Sequence, residues 1–278
     1  MQLRAPAKIN LSFRILRRRE DGFHEIETLM IPVSLYDEIS LTISDRDSVA
    51  IEFACYDPSL PPGDDNLVVR AARLFLQKTD RRAGLKIELR KAIPHGAGLG
   101  GGSSDAASVL LGLNRLLNAG LRTEQLTQIA AEIGSDVPFF IYESAAICRG
   151  RGELVTSATL AEPLRLLLIK PPFGVATPWA YQRWHNSKEL PQVSYTQQTC
   201  GASTFVNDLE RPVFEKYVFL ARMKMWLLGQ PEVGAALMSG SGSTVFAVVR
   251  DAHGGEELAS RARAEVDPDL WTCLCQGL

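Results

Sequence analysis

Near the N-terminus, apolar positions alternate with polar ones. Ile9, Leu11, Phe13 and Ile15 are separated by Asn10, Ser12 and Arg14, the period of a strand with one buried face. If that strand starts early, Lys8 and Asn10 share its other face, and on pattern alone Lys8 reads as a solvated strand-end lysine. Arg17 to Gly22 is a polar turn in which Asp21-Gly22 is a hairpin signal, with Phe23 and His24 directly after it. Ile39, Leu41 and Ile43 alternate next, then Val49, Ile51 and Phe53, which predicts a meander. Asp57 to Asp65 reads as a loop, with Asp64 or Asp65 capping a helix that carries Leu67, Val68, Ala71, Leu74 and Phe75.

The period changes again around residue 95. Leu85, Ile87 and Leu89 alternate with Lys86, Glu88 and Arg90, as in a half-buried strand. Ala106, Val109, Leu110, Leu113, Leu116 and Leu117 then recur at three and four, as in a helix closed by Gly120. Between the two lies Pro94-His95-Gly96-Ala97-Gly98-Leu99-Gly100-Gly101-Gly102-Ser103-Ser104. Glycines at that junction permit positive φ and close approach of a ligand to the backbone. A helix N-terminus behind them adds free N–H groups and a positive dipole end, an anion site. Ser103 and Ser104 are placed as N-cap hydroxyls that reach phosphate oxygens.

Two common phosphate loops are excluded by context. Gly96-Ala97-Gly98-Leu99-Gly100-Gly101 matches G-x-G-x-x-G, but no second strand with a ribose-binding acid follows. A P-loop needs Lys-Ser or Lys-Thr after the last glycine, and the chain has Gly102-Ser103-Ser104. A nucleotide loop of another lineage remains.

Downstream, Thr123 caps a helix with Leu126, Ile129, Ala130 and Ile133 on one face, ended by Gly134. Asp136 follows in Ser135-Asp136-Val137-Pro138, where the local pattern leaves a turn or cap role and a functional one equally open. Ala145 to Arg151 is a strand, Thr156 to Pro163 a domain boundary, and Leu164 to Ile169 a buried strand. Thr177-Pro178 opens a helix as cap and first residue. Asn186 to Ser203 is polar and irregular, hence a long loop. Two helices are expected over Asn207 to Tyr217 and Phe219 to Leu228, then Ser239-Gly240-Ser241-Gly242-Ser243 leading into a strand over Thr244 to Val249. A helix and a last strand, Leu270 to Cys275, close the chain.

Composition narrows the class. The 278 residues are 46% hydrophobic and 22% charged with a net charge of −2, which fits a globular enzyme of one large or two ordinary domains and gives no nucleic-acid footprint. No apolar run approaches the roughly 18 residues of a membrane span, and Met1 to Pro6 lacks the character of a signal or transit peptide. Five cysteines without C-x-x-C fit free thiols in a reducing cytoplasm, with Cys273 and Cys275 as packing residues of the last strand.

Three separated motifs, Pro6-Ala7-Lys8-Ile9-Asn10-Leu11, Pro94 to Ser104 and Ser239 to Ser243, together resemble the signatures of the galactokinase, homoserine kinase, mevalonate kinase and phosphomevalonate kinase (GHMP) superfamily. Within it, Asp21-Gly22-Phe23-His24, Asp65-Asn66-Leu67, Gly98 to Ala106 and Ser135 to Pro138 are similar to the cytidyl-methylerythritol kinases. Phe23 stands where that family usually has tyrosine. The resemblance implies an α+β, two-domain fold, with an N-terminal α/β domain (1–158), a ferredoxin-like C-terminal domain (159–278), and the active site in the cleft between. It implies transfer of the γ-phosphoryl group of ATP, with Mg²⁺, to a small-molecule alcohol that carries a cytidine diphosphate, in the non-mevalonate route to isoprenoid precursors. It assigns Asp136 to orient the hydroxyl and accept its proton late, and Lys8 to fix that carboxylate and offset phosphoryl charge. The loop from Pro94 to Ser104, with Asn66 and Lys91, would hold ATP. Asn10 and Thr177 would line the substrate side, Phe23 and Tyr181 would stack on cytosine, and His24 would read its edge. No membrane or nucleic-acid partner is expected, and a monomer or weak homodimer is. Another small-alcohol kinase of the superfamily is the alternative enzyme, and a non-catalytic ligand sensor the alternative class.

Overall fold

The computed structural model describes residues 1–45, 50–57, 60–61, 63, 65–250 and 254–278. Val49 and Asp64, which enter the expectations above, lie outside them. The described residues form twelve strands and eight helices in two sheets.

The first sheet is built on two long strands. β1 (Gln2–Arg18) and β2 (His24–Asp45) pair antiparallel across the Arg19–Phe23 turn. Sequence alternation exposed only the middle of β1 and the end of β2. Around Met30 to Val33 every residue is buried, so the period of two is lost where both faces are covered. β3 (Ile51–Cys55) and β4 (Gly84–Arg90) extend the sheet beyond β2. The expected meander is corrected here: β3 runs parallel to β4 at the edge, because α1 (Leu67–Thr79) provides the crossover between them. β5 (Ala146–Gly150) pairs with the N-terminal half of β2 and with β6 (Leu154–Ser157).

Helices α1, α2 (Gly101–Leu116), α3 (Thr123–Ile133) and the short α4 (Val137–Ile141) cover this sheet. Phe75, Leu110, Leu113 and Phe139 meet Leu41, Leu85 and Ile87 in one core. Several caps differ from expectation by a residue or more. Asn66, not Asp64 or Asp65, caps α1, its Oδ1 accepting from the Val68 amide at 3.0 Å. Arg122, not Thr123, holds the cap position of α3.

The second sheet has strand order β10 (Val233–Met238), β11 (Val245–Val249), β7 (Arg165–Lys170), β12 (Trp271–Gln276), all antiparallel. With α7 (Val218–Leu228) and α8 (Gly254–Glu265) as its connections, this is the ferredoxin-like βαββαβ arrangement. Cys273 and Cys275 do sit on the last strand, with Cys275 buried. α5 (Thr177–Trp184) and α6 (Glu210–Lys216) precede α7.

The stretch read as a long loop, Asn186 to Ser203, is only partly irregular. Its end folds into β8 (Gln198–Cys200), which pairs with β9 (Ser203–Asn207). β9 then lies parallel to β1 at Ser12 and Phe13, so a hairpin from the second half completes the first sheet. Asn207 therefore ends a strand and does not begin a helix. Three and five residues are too few to display a hydrophobic period.

Candidate active site

The glycine loop alternates freedom with anchorage. Gly96, Gly98 and Gly100 have φ of 63°, 75° and 70°, while the side chains of Ala97 and Leu99 between them are buried. The carbonyl of Leu99 accepts from the Lys8 amide at 2.9 Å, and that of Ala97 from the Thr244 amide at 3.2 Å. The loop is thus tied on one side to β1 and on the other to the start of β11. Gly100, in the left-handed region, holds the N-cap position of α2. This corrects the expectation for the serines: Ser103 and Ser104 lie inside the first turn, where Ser103 lines the cleft and Ser104 is fully buried with its Oγ unpartnered. The first N–H groups of a 16-residue helix open onto the same wall.

That wall bounds a cleft of about 420 Å³ between the two sheets. Lys8 and Asn10 enter it from β1, as neighbours on one strand face. The Lys8 ammonium donates to Asn10 Oδ1 at 2.6 Å and lies 3.7 Å from Asp136 Oδ2. The Asn10 amide donates to Thr28 Oγ1 at 2.8 Å, which in turn donates to the Ser12 carbonyl at 2.6 Å, so Asn10 is fixed. Asp136 holds the cap position of α4 without using its side chain as a cap, and that carboxylate stays 39% exposed toward the cleft. Burial pulls the Lys8 ammonium below its ordinary pKa, and the Asp136 carboxylate opposes that shift. A solvated Lys8 is excluded, since it is buried among these partners.

Asn66, Pro94, His95 and Lys91 line the loop side of the cleft. Lys91 is not a free cation: its ammonium bonds Asp37 and, at 2.7 Å, Asp105, both buried. Asp37 also accepts from the Ala92 and Ile93 amides at 2.6 and 2.9 Å, which fixes the approach to the loop. Sequence reading missed Asp37, which is 54 residues from its partner and carries no local signal. Thr177, Tyr181, Gly240 and Ser241 complete the opposite wall. Thr177 is the first residue of α5 and Ala176 its cap, so the Thr177 hydroxyl is free to meet Ser241 Oγ at 2.7 Å.

Models of the GHMP kinase N-terminal and C-terminal domains match residues 66–144 and 201–267. The 4-diphosphocytidyl-2-C-methyl-D-erythritol kinase of Methylacidiphilum infernorum is 44% identical over 99% of this chain and 96% of its own length. That of Syntrophotalea carbinolica is 41% identical over 93% and 94%. The chain belongs to the 4-diphosphocytidyl-2-C-methyl-D-erythritol kinase family. A crystal structure of a 4-(cytidine 5'-diphospho)-2C-methyl-D-erythritol kinase superposes with a TM-score of 0.78 at 34% identity, covering all of both chains. A homoserine kinase from Cytophaga hutchinsonii gives 0.72 at 21% identity and shares the fold.

Beside the cleft of this kinase-family chain lies a second hollow of about 660 Å³, lined by Arg17, Arg18, Gly22, His24, Tyr181 and Trp184 among others. Tyr181 borders both spaces. His24 stacks on Tyr181 with centroids 5.3 Å apart, and meets Trp184 edge-on at 5.9 Å. Burial, with Arg18 nearby, lowers the His24 pKa and favours the neutral ring. Phe23 is half exposed and carries the Arg151 guanidinium over its ring at 4.5 Å. The structure therefore brings His24 and Tyr181 together and leaves Phe23 against Arg151. No described helix is long and apolar enough to cross a membrane.

Proposed function

We propose that this chain transfers the γ-phosphoryl group of ATP to the 2-hydroxyl of 4-diphosphocytidyl-2-C-methyl-D-erythritol, a step of the non-mevalonate route to isoprenoid precursors. The observation that carries the reading is the meeting of Lys8, Asn10 and Asp136 opposite the glycine loop, in one cleft. Phosphoryl transfer asks for positioning and charge neutralisation more than for covalent chemistry. The loop backbone and the start of α2 hold the triphosphate. Asp136, uncapped and facing the cleft, orients the acceptor hydroxyl and takes its proton late. Lys8 holds that carboxylate and offsets charge on the transferred group.

A nucleotide-borne Mg²⁺ fits this wall. Ser103 presents a hydroxyl to the cleft and Ser104 an orphaned buried oxygen behind it, and no cluster of three or more metal-ligating His, Cys, Asp or Glu side chains stands among the described residues. Ser103 would be the side chain that helps hold such an ion, which would supply charge neutralisation when bound.

The hollow at His24 and Tyr181 takes the cytosine, with Tyr181 and Phe23 as stacking faces once the ring pairs present now give way to the base. A neutral His24 offers one donor and one acceptor to the base edge. Residues 1–158 and 159–278 serve as the two domains, and the protein works in the cytoplasm as a monomer or weak homodimer on a small-molecule substrate.

An ADP-release assay over a panel of alcohols tests the reading. The cytidine compound should turn over well, its uridine analogue poorly, and homoserine, mevalonate and galactose not detectably. A site with paired polar groups rejects a base of the wrong pattern because its own groups are left unpaired. Efficient turnover of homoserine or mevalonate, or indifference to the base, would overturn it. His24→Ala should narrow the cytidine–uridine gap, chiefly by harming the cytidine compound.

A further inference from the structure

The segment Asn207-Asp208-Leu209-Glu210, which the sequence pattern marks only as the start of a helix, holds the third glycine motif from beneath through its side chains. Asn207 is 5% exposed and ends β9. Its side-chain amide donates to two carbonyls, Met238 and Gly240, at 2.7 Å each, while its Oδ1 accepts from the Leu209 amide at 2.9 Å. Two acceptors face the nitrogen and one donor faces the oxygen, so the amide has a single consistent orientation. Glu210 Oε1 accepts from the Met238 amide at 2.9 Å. Its other oxygen pairs with buried Lys224 at 2.6 Å. The polar backbone groups of Met238 and the carbonyl of Gly240 are thus all taken by this one segment.

The other end of the segment is fastened to β1. Asn207 pairs with Phe13 in the parallel register, and the Asp208 amide donates to the Phe13 carbonyl at 2.9 Å. Asp208 Oδ2 accepts from the Ile15 amide at 2.9 Å. β1 is the strand that delivers Lys8 and Asn10. The motif above Asn207 contains Gly240, where a Cβ would stand 3.3 Å from Asn10 Oδ1 and 3.4 Å from Lys8 Nζ. Asn207 therefore spans the two elements that face each other across the transfer site, one from each sheet.

We propose that Asn207 is a positioning residue for phosphoryl transfer: it sets the spacing between the Gly240 turn and the Lys8–Asn10 pair, with Glu210 bracing the same turn. The inference rests on the kinase reading above. Misplacement of reacting groups by about 1 Å costs on the order of 10²-fold in rate. A relaxed turn should therefore slow the chemical step more than it weakens binding.

The test compares Asn207→Asp, which keeps the shape and the Oδ1 acceptor but turns both donors into an acceptor, with Leu227→Ala, a buried packing change in α7. Turnover of ATP with the cytidyl alcohol is measured well below each melting point. Asn207→Asp should lose at least 10-fold in kcat with both KM values within about 3-fold of wild type, while Leu227→Ala, for an equal or larger drop in melting temperature, keeps kcat within about 2-fold. An unchanged kcat, a loss confined to KM, or equal kcat losses at matched melting temperature would overturn the proposal. If Asn207→Asp does not fold, Asn207→Ser, which leaves room for a water between the carbonyls, carries the same readouts. Loss of activity toward every alcohol in wild type would instead count against the kinase reading itself.

Discussion

Ser239 and Gly98 touch with no space between them. Ser239 Oγ donates to the Gly98 carbonyl at 3.0 Å, and a Cβ on Gly98 would stand 2.2 Å from the Ser239 carbonyl oxygen. Gly98→Ala therefore faces both a backbone clash and a φ of 75°. The left-handed region costs roughly 1–2 kcal/mol, and overpacking about 1–3 kcal/mol more. Gly96→Ala has the first cost only, since nothing stands within 4 Å of its Cβ. Thermal denaturation should show a clearly larger loss for Gly98→Ala. Equal losses would mean that the contact between the loop and the third motif is not what demands glycine.

Gly101→Val acts on the cleft wall proposed to hold the nucleotide. A Cβ there would lie 3.0 Å from Ile93 Cγ2 and 3.1 Å from Lys91 Nζ, and a branched side chain needs more room still. The first turn of α2 must shift from the loop it serves. ATP affinity by calorimetry should fall by about 10-fold or more, given 1.4 kcal/mol per decade, in a protein that still melts cooperatively. Unchanged affinity would place the phosphates elsewhere.

Asp136→Asn keeps shape and removes charge. kcat should fall roughly 10²–10⁴-fold with nucleotide affinity nearly unchanged, and a variant with more than about a third of wild-type kcat would remove Asp136 from its role. The same variant reports on Lys8. Burial lowers the Lys8 pKa from 10.5 and the carboxylate opposes that, so loss of the carboxylate must lower it further. Lys8 is charged below its pKa and neutral above it, so activity that needs the cation declines as pH rises through that lowered value. In ¹³C-lysine spectra the Lys8 midpoint should lie below those of exposed lysines, and lower again in Asp136→Asn. An upward move would contradict the geometry.

Asp105 couples pH to stability. Burial raises its carboxyl to about 8, against the pull of Lys91 and with Asp37 adding to the rise. A raised carboxyl pKa stabilises the fold fully at pH below the unfolded value near 3.8, and that contribution is lost as pH climbs through about 8. Asp105→Asn does not titrate, so its melting temperature should gain on wild type between pH 6 and pH 9. A constant difference across that range would mean that the Asp37–Lys91–Asp105 cluster does not change protonation there.

Much of this protein was legible in its sequence where one physical signal acts locally. Alternation fixes the inward face of β1, because a strand turns over every residue. The step from a period of two to one near four, with glycines between, marks the loop before α2. Pro6 to Leu11, Pro94 to Ser104 and Ser239 to Ser243 carry the superfamily, since each constrains backbone as well as side chains. What the sequence left open is set by partners distant along the chain. The caps moved by a residue where a neighbour offered a better acceptor or a side chain was needed elsewhere, as with Thr177 turning to Ser241. β8 and β9 are too short to show a period and exist because β1 has an open edge. Asp37 meets Lys91 only when β2 and β4 pair, and Asn207 meets Gly240 only after the two sheets have packed. Sequence determined which residues could do phosphoryl chemistry. Tertiary structure decided how far apart they stand, because burial and hydrogen bonding between remote segments, not local propensity, set that distance.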